Sequence, residues 1–435
     1  MTTAQQDNTG NRNLLDGYTI LRFAHAFESG GGVEQYLEDL DRTLLDRNKI
    51  TILRMYQSDD IGNVGELKEK IGQGTLVKIP LDTEQAALQT DADRQSIESS
   101  RGTILKNLLR DWVVFNPILY PIIFKNIVKN LSSRTQTMES LDAKQVAERL
   151  FKNFKIDLVI MHYAGGADSN AIIKIAKASN VPYVFINHFS NDRFNHMSIR
   201  EQLADAASIA GVSSVNVPRR LRNIFFNVSD GIDTEMFKPE NTRPIRLNNK
   251  TKIVFLPARI VAIKGQSDLI TACAMLKNKE IHIKVVLAGR ADSLRYEEQL
   301  KKHASELNIL DDILFVGQLD REQLRNWYGA SAILAFPSYN EGFPRILMEA
   351  QAMGVPPVAY NVGGMSEGIL QGKTGYLVPK GNITLFTEKL KELLTNEGKR
   401  KQMGENGRKF IVNNFSLQAL AVRHEEFYLK ILKKA

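Results

Sequence analysis

The chain alternates short apolar runs with longer segments of helical periodicity, and it does so in two successive sets. This alternation is typical of parallel strands joined by helical crossovers, because each connection must return to the starting end of the sheet. The sequence therefore predicts an α/β protein with doubly wound parallel sheets. The predicted strands are residues 18–23, 49–54, 75–79, 157–161 and 183–186 in the first set, and 252–256, 284–288, 313–316, 332–336 and 357–360 in the second.

Two predicted sheets in 435 residues indicate two domains, since one hydrophobic core rarely serves so long a chain. We predict two Rossmann-like domains that face each other across a cleft. A polar, turn-rich stretch between the two sets marks the linker. The predicted organisation is a disordered tail at 1–16, a first domain at 17–225, a linker at 226–246, a second domain at 247–414 and a final helix at 415–435.

The most informative motif lies in the second set, where seven residues separate Glu341 from Glu349. The apolar run 332–336 predicts a buried strand, and Pro344 suits the first turn of a following helix. Glu341 then lies in the loop at the carboxyl end of a strand, where open α/β sheets bind their ligands. Free N–H groups at the helix start favour an anion such as a diphosphate. Two carboxylates beside it suit a ligand rich in hydroxyl groups.

This E-x7-E element resembles that of the retaining glycosyltransferases with the GT-B fold, and within them the large group called family 4. Three more segments resemble family motifs in the family's order: 257–265 its strand-end Arg and Lys, and 362–367 and 374–379 its next two loops. Residues 226–233 are similar to its linker, with Asp230 where asparagine is usual. The resemblance implies the GT-B fold, with the last helix crossing back onto the first domain. It also implies transfer of a sugar from a nucleotide-diphosphate donor with retention of anomeric configuration.

The resemblance places most of the donor site in the second domain. Arg259 and Lys264 would face the diphosphate, where two fixed cations stabilise the charge that develops on the leaving group. One glutamate would accept from the sugar, and Glu349 would accept from a ribose hydroxyl. The expected donor-binding residues are Gly31, Gly32, Arg259, Lys264, Gly289, Glu341, Gly342, Phe343, Pro344 and Glu349, and the expected catalytic residues are Arg259, Lys264, Glu341 and His188.

The first domain contributes a glycine-rich turn and three candidate histidines. The turn lacks the spacing of a dinucleotide fingerprint. Relatives bring this loop near the donor phosphates and the acceptor, so the role is assigned to Gly31 and Gly32. His188 follows a predicted strand where the family often has a histidine facing the sugar. His162 follows the preceding strand in the same way, and His25 is a weaker third candidate; we favour His188.

No motif supplies the carboxylate nucleophile of a retaining glycosidase. The resemblance instead implies a front-face substitution, in which the acceptor attacks from the side that the diphosphate leaves and the leaving oxygen takes its proton. Because Arg259 and Lys264 would neutralise that leaving group, we expect no metal and no other cofactor. Asp91 and Asp93 form the D-x-D of metal-dependent transferases, but they lie in a polar segment without a strong preceding strand. Chance is the favoured interpretation of that pair.

A formal net charge of +8 admits nucleic acid, anionic lipid or phosphorylated substrates as partners. The sequence has no zinc-ligand cluster, RNA-binding signature or helix-turn-helix arrangement, so nucleic acid is not expected. A UDP-, GDP- or ADP-linked sugar and a carbohydrate, lipid-linked or protein-linked acceptor fit better. The lone Cys273 fits a reducing compartment, and the polar start has no signal-peptide pattern. The cytoplasm is therefore the expected location.

Residues 104–129 are unusually apolar and aromatic, with basic residues interspersed. Charged residues and two prolines interrupt the segment, which excludes a standard spanning helix. Contact with a membrane interface or a lipid-linked acceptor is one interpretation, and would place the protein peripherally on the inner membrane face. A pair of helices packed on the first domain is the favoured alternative.

Two other function classes remain open from the sequence. A catalytically silent GT-B subunit of a transferase complex would lose its donor-site charges, whereas Arg259, Lys264, Glu341 and Glu349 are all present. A GT-B phosphorylase would need a lysine motif for pyridoxal phosphate, which is not found. No residue selects the nucleotide base.

Overall fold

The computed structural model describes residues 14–24, 32–58, 67–82, 140–162, 167–188, 202–215, 217–245 and 251–433. In these ranges the helices and strands form two α/β domains. Each domain is built on one sheet, and the strands of both sheets are mostly parallel.

The first domain carries an eight-stranded sheet in the order β3-β4-β2-β1-β5-β6-β7-β8. Its central strands are almost wholly buried and apolar, as expected for a parallel sheet covered on both faces. Its described elements are β1 (Thr19–Ala24), α1 (Gly32–Arg47), β2 (Thr51–Ser58), β3 (Leu67–Ile71), β4 (Gly74–Asp82), α2 (Ser140–Asn153), β5 (Leu158–Met161), α3 (Ala167–Ala178), β6 (Tyr183–Asn187), β7 (Ser208–Gly211) and β8 (Phe225–Asn227).

The second domain carries a six-stranded parallel sheet in the order β11-β10-β9-β12-β13-β14. Its elements are β9 (Lys252–Pro257), α4 (Gln266–Lys277), β10 (Ile283–Ala288), α5 (Leu294–Glu306), β11 (Ile313–Gly317), α6 (Arg321–Ala330), β12 (Ser331–Phe336), α7 (Arg345–Ala352), β13 (Pro357–Tyr360), α8 (Met365–Gly368), β14 (Tyr376–Val378), α9 (Ile383–Thr395) and α10 (Glu397–Phe415). One more helix, α11 (Leu417–Leu432), follows.

Both sheets have a point at which the strand order reverses. In the first sheet the chain runs outward from β1 through β2 and then returns to place β5 on the other side of β1. In the second sheet the same reversal occurs between β9 and β12, which are hydrogen-bonded neighbours. Ligands of open α/β sheets bind at the carboxyl ends of the strands at such a point. A ligand-binding site is therefore expected at the loops after β1, β5, β9 and β12.

All ten predicted strands are present, and the structure adds four that the sequence pattern did not predict: β3, β7, β8 and β14. The first sheet is therefore mixed, because β3 pairs antiparallel with β4. Gly72 lies in the short turn between them with φ +50°, and a Cβ there would lie 2.4 Å from Cα of Asp46. Only glycine fits so close to α1 at that φ.

The final helix, α11, belongs to the core of the first domain. It begins at Leu417, after Ser416 accepts a hydrogen bond from the backbone N–H of Ala419, and Phe415 ends the preceding helix. Leu420 and Phe427 are fully buried among residues of β1, α1 and β5. These contacts attach the helix to the first domain, and the helix begins two residues later than its sequence pattern indicated.

A second group of contacts joins the loops at the carboxyl ends of the two sheets. The backbone N–H and the hydroxyl of Ser214, after β7, donate to Oε1 of Glu367 in α8 at 2.8 and 2.5 Å. Nδ2 of Asn227, at the end of β8, donates to the other oxygen at 3.3 Å. The ligand-binding edges of the two sheets therefore meet. None of the helices in the described ranges combines the length and apolar composition that crossing a membrane requires.

Candidate active site

The loop after β9 carries the two predicted cations. Arg259 is largely exposed and donates through Nη1 to Asp292 at 2.7 Å. Lys264 ends a single turn of 3-10 helix and is four-fifths buried. Gly265, which follows, has φ +73°, and a Cβ there would lie 2.0 Å from the carbonyl oxygen of Pro337. This close approach packs the loop after β9 against the loop after β12.

That packing brings Lys264 to the first glutamate of the E-x7-E motif. Nζ of Lys264 donates to Oε1 of Glu341 at 2.5 Å, and the hydroxyl of Ser338 donates to the same oxygen at 2.6 Å. Both side chains of the ion pair are mostly buried, with 19% and 10% exposure. Both hydrogen bonds are to Oε1, so Oε2 of Glu341 can still accept a hydrogen bond from a ligand.

Two glycines after β13 shape the backbone around Glu341. Gly363 has φ +51°, and a Cβ there would lie 1.9 Å from the carbonyl oxygen of Glu341. The backbone N–H of Gly364 donates to the carbonyl oxygen of Gly342 at 2.7 Å. Gly289, after β10, makes a similar approach, because its Cβ would lie 2.2 Å from the oxygen of Ala258. Gly289, a residue of the predicted site, and Gly363 are thus required by packing.

Glu349, the second glutamate, is buried in the middle of α7. Its Oε2 accepts from the hydroxyl of Tyr328 at 3.0 Å, a partner on α6 that the sequence did not indicate. Burial raises the pKa of Glu349, while the charge of Arg345 and the Tyr328 hydrogen bond oppose that shift. The carboxylate is therefore held in place by a neighbour in the core.

The residues between the two glutamates have different surroundings. Phe343 was expected to bind the donor, but its side chain belongs to the core and stacks on Phe415 with ring centroids 5.3 Å apart. Its aromatic ring is therefore structural, and only its backbone remains for a ligand. Pro344 immediately precedes α7, as its fixed φ allows.

Arg345 is a residue of this region that sequence reasoning missed. Its Nη2 donates to Oδ2 of Asp39 in α1 at 2.8 Å, and its Nη1 donates to Oδ1 of Asp230 in the linker at 3.0 Å. All three side chains are about nine-tenths buried. The linker aspartate at 230 therefore makes a direct contact with Arg345, which follows the loop that carries Glu341.

The first domain places two of its candidate histidines in contact. His162 is buried after β5, and its Nδ1 lies 2.8 Å from Nε2 of the half-buried His188, after β6. Burial and the charges of Arg22 and Arg345 lower the pKa of His188 to about 3. Burial and Arg22 lower the pKa of His162 well below its usual value. Both imidazoles are therefore neutral near pH 7.

Several predicted positions fall outside the described residues. They are Gly31, His25, the Asp91 and Asp93 pair, and the apolar segment 104–129. Gly32 is described and is the first residue of α1, at the reversal point of the first sheet. Within the described ranges, no three His, Cys, Asp or Glu side chains come together as a metal site requires.

Comparison with known proteins agrees with this architecture. Residues 237–410 match the family model described as glycosyl transferases group 1. The capsular polysaccharide biosynthesis glycosyltransferase CapM of Staphylococcus aureus is 30% identical over 221 residues, which are 48% of this chain and 55% of that protein. The chain spans about half the length of the curated relatives it matches.

Solved structures match over nearly the whole chain. Sucrose-phosphate synthase from Thermosynechococcus elongatus has a TM-score of 0.70 at 17% identity, covering 96% of this chain and 100% of that one. Anabaena HepE in complex with UDP has a TM-score of 0.67 at 16% identity, covering 95% and 100%. At such low identity these matches establish the fold alone. The chain thus has the GT-B fold, and its second domain carries the match to the glycosyl transferases group 1.

Proposed function

We propose that this protein transfers a hexosyl or N-acetylhexosaminyl group from a nucleotide-diphosphate sugar to an acceptor, with retention of anomeric configuration and without a metal. The observation that carries the proposal is the Lys264–Glu341 pair, which lies where the strand order of the second sheet reverses. A ligand bound there meets a cation and a carboxylate together. That combination suits a molecule with both phosphate and hydroxyl groups.

The phosphate end of the ligand is assigned to the loop after β9. Lys264 and Arg259 both lie on this loop, and Arg259 is largely exposed, so its guanidinium can leave Asp292 for a diphosphate at little cost. As the glycosidic bond breaks, negative charge grows on the diphosphate. Fixed cations stabilise that charge more in the transition state than in the bound donor, which raises kcat.

The hydroxyl groups of the ligand are assigned to the two glutamates. Oε2 of Glu341 is held ready by the Lys264 and Ser338 contacts to Oε1, and it would accept from a sugar hydroxyl. The oxygen of Glu349 that Tyr328 does not occupy would accept from the ribose. His188 would face the sugar from the first domain. The acceptor then attacks from the side that the diphosphate leaves, and the leaving oxygen takes its proton.

The names of similar proteins suggest where to begin with substrates. CapM acts in capsular polysaccharide biosynthesis, several curated relatives are D-inositol 3-phosphate glycosyltransferases, and HepE was solved with UDP and with UDP-glucose. We propose a UDP-sugar as the first donor to test, with GDP- and ADP-sugars beside it. Carbohydrate, lipid-linked and protein-linked acceptors all remain candidates, and a peripheral membrane contact through residues 104–129 belongs with the lipid-linked case.

The decisive experiment is titration calorimetry with UDP-, GDP- and ADP-sugars on the wild type and on Glu349→Ala. We expect one nucleotide class to bind and the variant to bind it more weakly by about 1.5–3 kcal/mol, the contribution of one hydrogen bond to a charged group. Lys301→Ala serves as the control, because it removes a half-exposed lysine whose ion-pair partner is Glu297 on the same helix. Equal donor affinity in wild type and Glu349→Ala would remove the ribose assignment.

Activity measurements then test the chemistry. Lys264→Ala should lose kcat more than donor affinity, because the charge it meets is largest in the transition state. Activity should persist in excess EDTA, and proton NMR of the product should report the donor's anomeric configuration. Inhibition by EDTA that manganese reverses would reject the metal-free mechanism. Donor binding without transfer to any acceptor would favour the silent-subunit interpretation.

A further inference from the structure

A buried polar chain connects His188 to the interior of the first domain. Arg22, a fully buried residue of β1, places Nη1 2.6 Å from Nε2 of His162. Nδ1 of His162 in turn lies 2.8 Å from Nε2 of His188. The two imidazole planes are 24° apart and their centroids are separated by 5.1 Å, so with the two nitrogens 2.8 Å apart both nitrogens lie close to the line that joins the ring centres.

The direction of each hydrogen bond in this chain is fixed by its first member. A guanidinium carries only donors and stays charged in proteins. Nε2 of His162 must therefore be the unprotonated nitrogen, and the single proton of this neutral ring must be on Nδ1. That proton is donated to Nε2 of His188. Nε2 of His188 is then an acceptor as well, so the proton of His188 is on Nδ1.

We propose that Arg22 and His162 are positioning residues that hold His188 in the Nδ1–H tautomer, so that its remaining ring nitrogen offers a donor and not a lone pair. The ligand chemistry that this nitrogen recognises is an acceptor oxygen, such as a sugar hydroxyl or ring oxygen. In this tautomer His188 cannot serve as a general base through Nδ1. The proposal deepens the proposed function and relies on it for the identity of the ligand, whereas the tautomer is a property of the protein alone.

Neighbouring side chains hold the hydrogen-bonded Arg22, His162 and His188 in place. Arg22 also contacts Asp41 at 2.9 Å and donates to the hydroxyl of Tyr428 on α11 at 3.3 Å. The edge of the Tyr36 ring meets the His188 ring, with centroids 4.6 Å apart and planes at 72°. Residues of β1, α1 and the final helix therefore all pack against this series of hydrogen-bonded side chains.

Two nearly isosteric substitutions of His162 give opposite expectations. In His162→Gln the amide oxygen accepts from Arg22 and the NH2 group donates to His188, which preserves the direction of the chain. In His162→Glu the carboxylate only accepts, so Nε2 of His188 must become the donor and its proton moves from Nδ1 to Nε2. Because glutamine and glutamate have nearly the same size, the two variants differ in the direction of the hydrogen bond to His188 and not in packing.

The measurement is a long-range proton–nitrogen correlation spectrum of the full chain labelled with nitrogen-15 histidine. This spectrum distinguishes protonated from unprotonated ring nitrogens, and His188→Gln and His162→Gln assign the two rings among the seven histidines. We expect protonated Nδ1 and unprotonated Nε2 on both rings in the wild type, the same His188 state in His162→Gln, and the reversed state in His162→Glu. A wild-type His188 with its proton on Nε2, or with both nitrogens protonated, would overturn the proposal without any variant having to fold.

Kinetics test the ligand half of the inference separately. With the donor found by calorimetry, His162→Gln should retain kcat/KM within about twofold, while His162→Glu should lose about fivefold to tenfold, the effect of one misdirected hydrogen bond. A reversed tautomer in His162→Glu with unchanged kcat/KM would refute recognition through Nδ1–H. A wild type that turns over no nucleotide sugar would instead refute the proposed function, while the spectrum would still decide the tautomer.

Discussion

Asp230 is a buried linker carboxylate beside Arg345, and the structure makes the effect of replacing it by asparagine calculable. The carboxylate is buried, and its Oδ1 accepts from Nη1 of Arg345 at 3.0 Å and from the backbone N–H of Gly231 at 2.6 Å. An asparagine oxygen in the same place can accept both hydrogen bonds. Asp230→Asn therefore removes a buried charge while keeping the local geometry.

The magnitude follows from the titration of this carboxyl group. Burial, with a smaller contribution from Asp39, raises the pKa of Asp230 from 3.8 to about 6 against the opposing charge of Arg345. Because the folded state holds the proton more tightly than the unfolded state, folding stability falls as the pH rises from about 4 to about 6. The difference between the two pKa values corresponds to about 3 kcal/mol. Asparagine has no such titration.

Urea unfolding followed by circular dichroism between pH 4 and pH 7.5 measures this difference. The free energy of unfolding of Asp230→Asn, relative to that of the wild type, should increase by about 3 kcal/mol as the pH rises through this range. Asp205→Asn provides the control, because Asp205 is an exposed carboxylate with one surface lysine partner, and its difference from wild type should stay within about 0.5 kcal/mol. A difference for Asp230→Asn that is flat with pH would refute the reasoning, and one that shrinks as the pH rises would also show that the Arg345 charge outweighs burial.

Two further predictions concern stability. Gly363→Ala should destabilise the second domain by more than about 2 kcal/mol, because its Cβ would meet the carbonyl oxygen of Glu341. Gly372 also has a positive φ, but the space around it is open. Gly372→Ala should therefore cost only about 1–2 kcal/mol in the same urea titration. Arg47→Ala should cost about 3 kcal/mol, because it leaves the buried carboxylate of Glu425 without its bidentate partner. Adding Glu425→Gln to Arg47→Ala should recover part of that loss, and a double variant less stable than the single one would contradict this account.

The sequence predicted the parts of the fold that depend on local pattern. Long apolar runs such as 252–256 and 332–336 became central strands because a buried parallel strand needs nothing beyond a continuous apolar stretch. The edge strands β3, β8 and β14 escaped prediction, since an edge strand is held by one neighbour and needs little apolar character. β7 lies between β6 and β8 and is buried, but its four residues, Ser208–Gly211, form too short an apolar run to stand out in the sequence. β3 also depends on the contact of Gly72 with a residue far away in sequence, which no local window contains.

The residues of the candidate site also divide into those that the sequence predicted and those that it did not. Lys264 and Glu341 were predicted because each belongs to a contiguous motif, and the structure brings them into contact; their catalytic roles remain predictions. Arg22 and Tyr328 were missed, because within their own segments each resembles an ordinary strand or helix residue. Arg22 becomes informative only through His162, which lies 140 positions away in sequence. Contacts of that kind are set by the fold and leave no signal in spacing.

Two of the contacts between the domains, those of the final helix and those of Glu367, differ in what a ligand can replace. The final helix buries Leu420 and Phe427 in the first domain, and apolar burial of this kind has no substitute in a polar ligand. Across the edges of the sheets, by contrast, Glu367 is held by Ser214 and Asn227 through hydrogen bonds that a hydroxyl-rich ligand can also make. Exchange of hydrogen bonds changes the free energy little, whereas exposing a buried aromatic side chain costs several kcal/mol. The Glu367 contact is therefore one at which the domains can respond to the proposed donor, whereas the final helix keeps them joined.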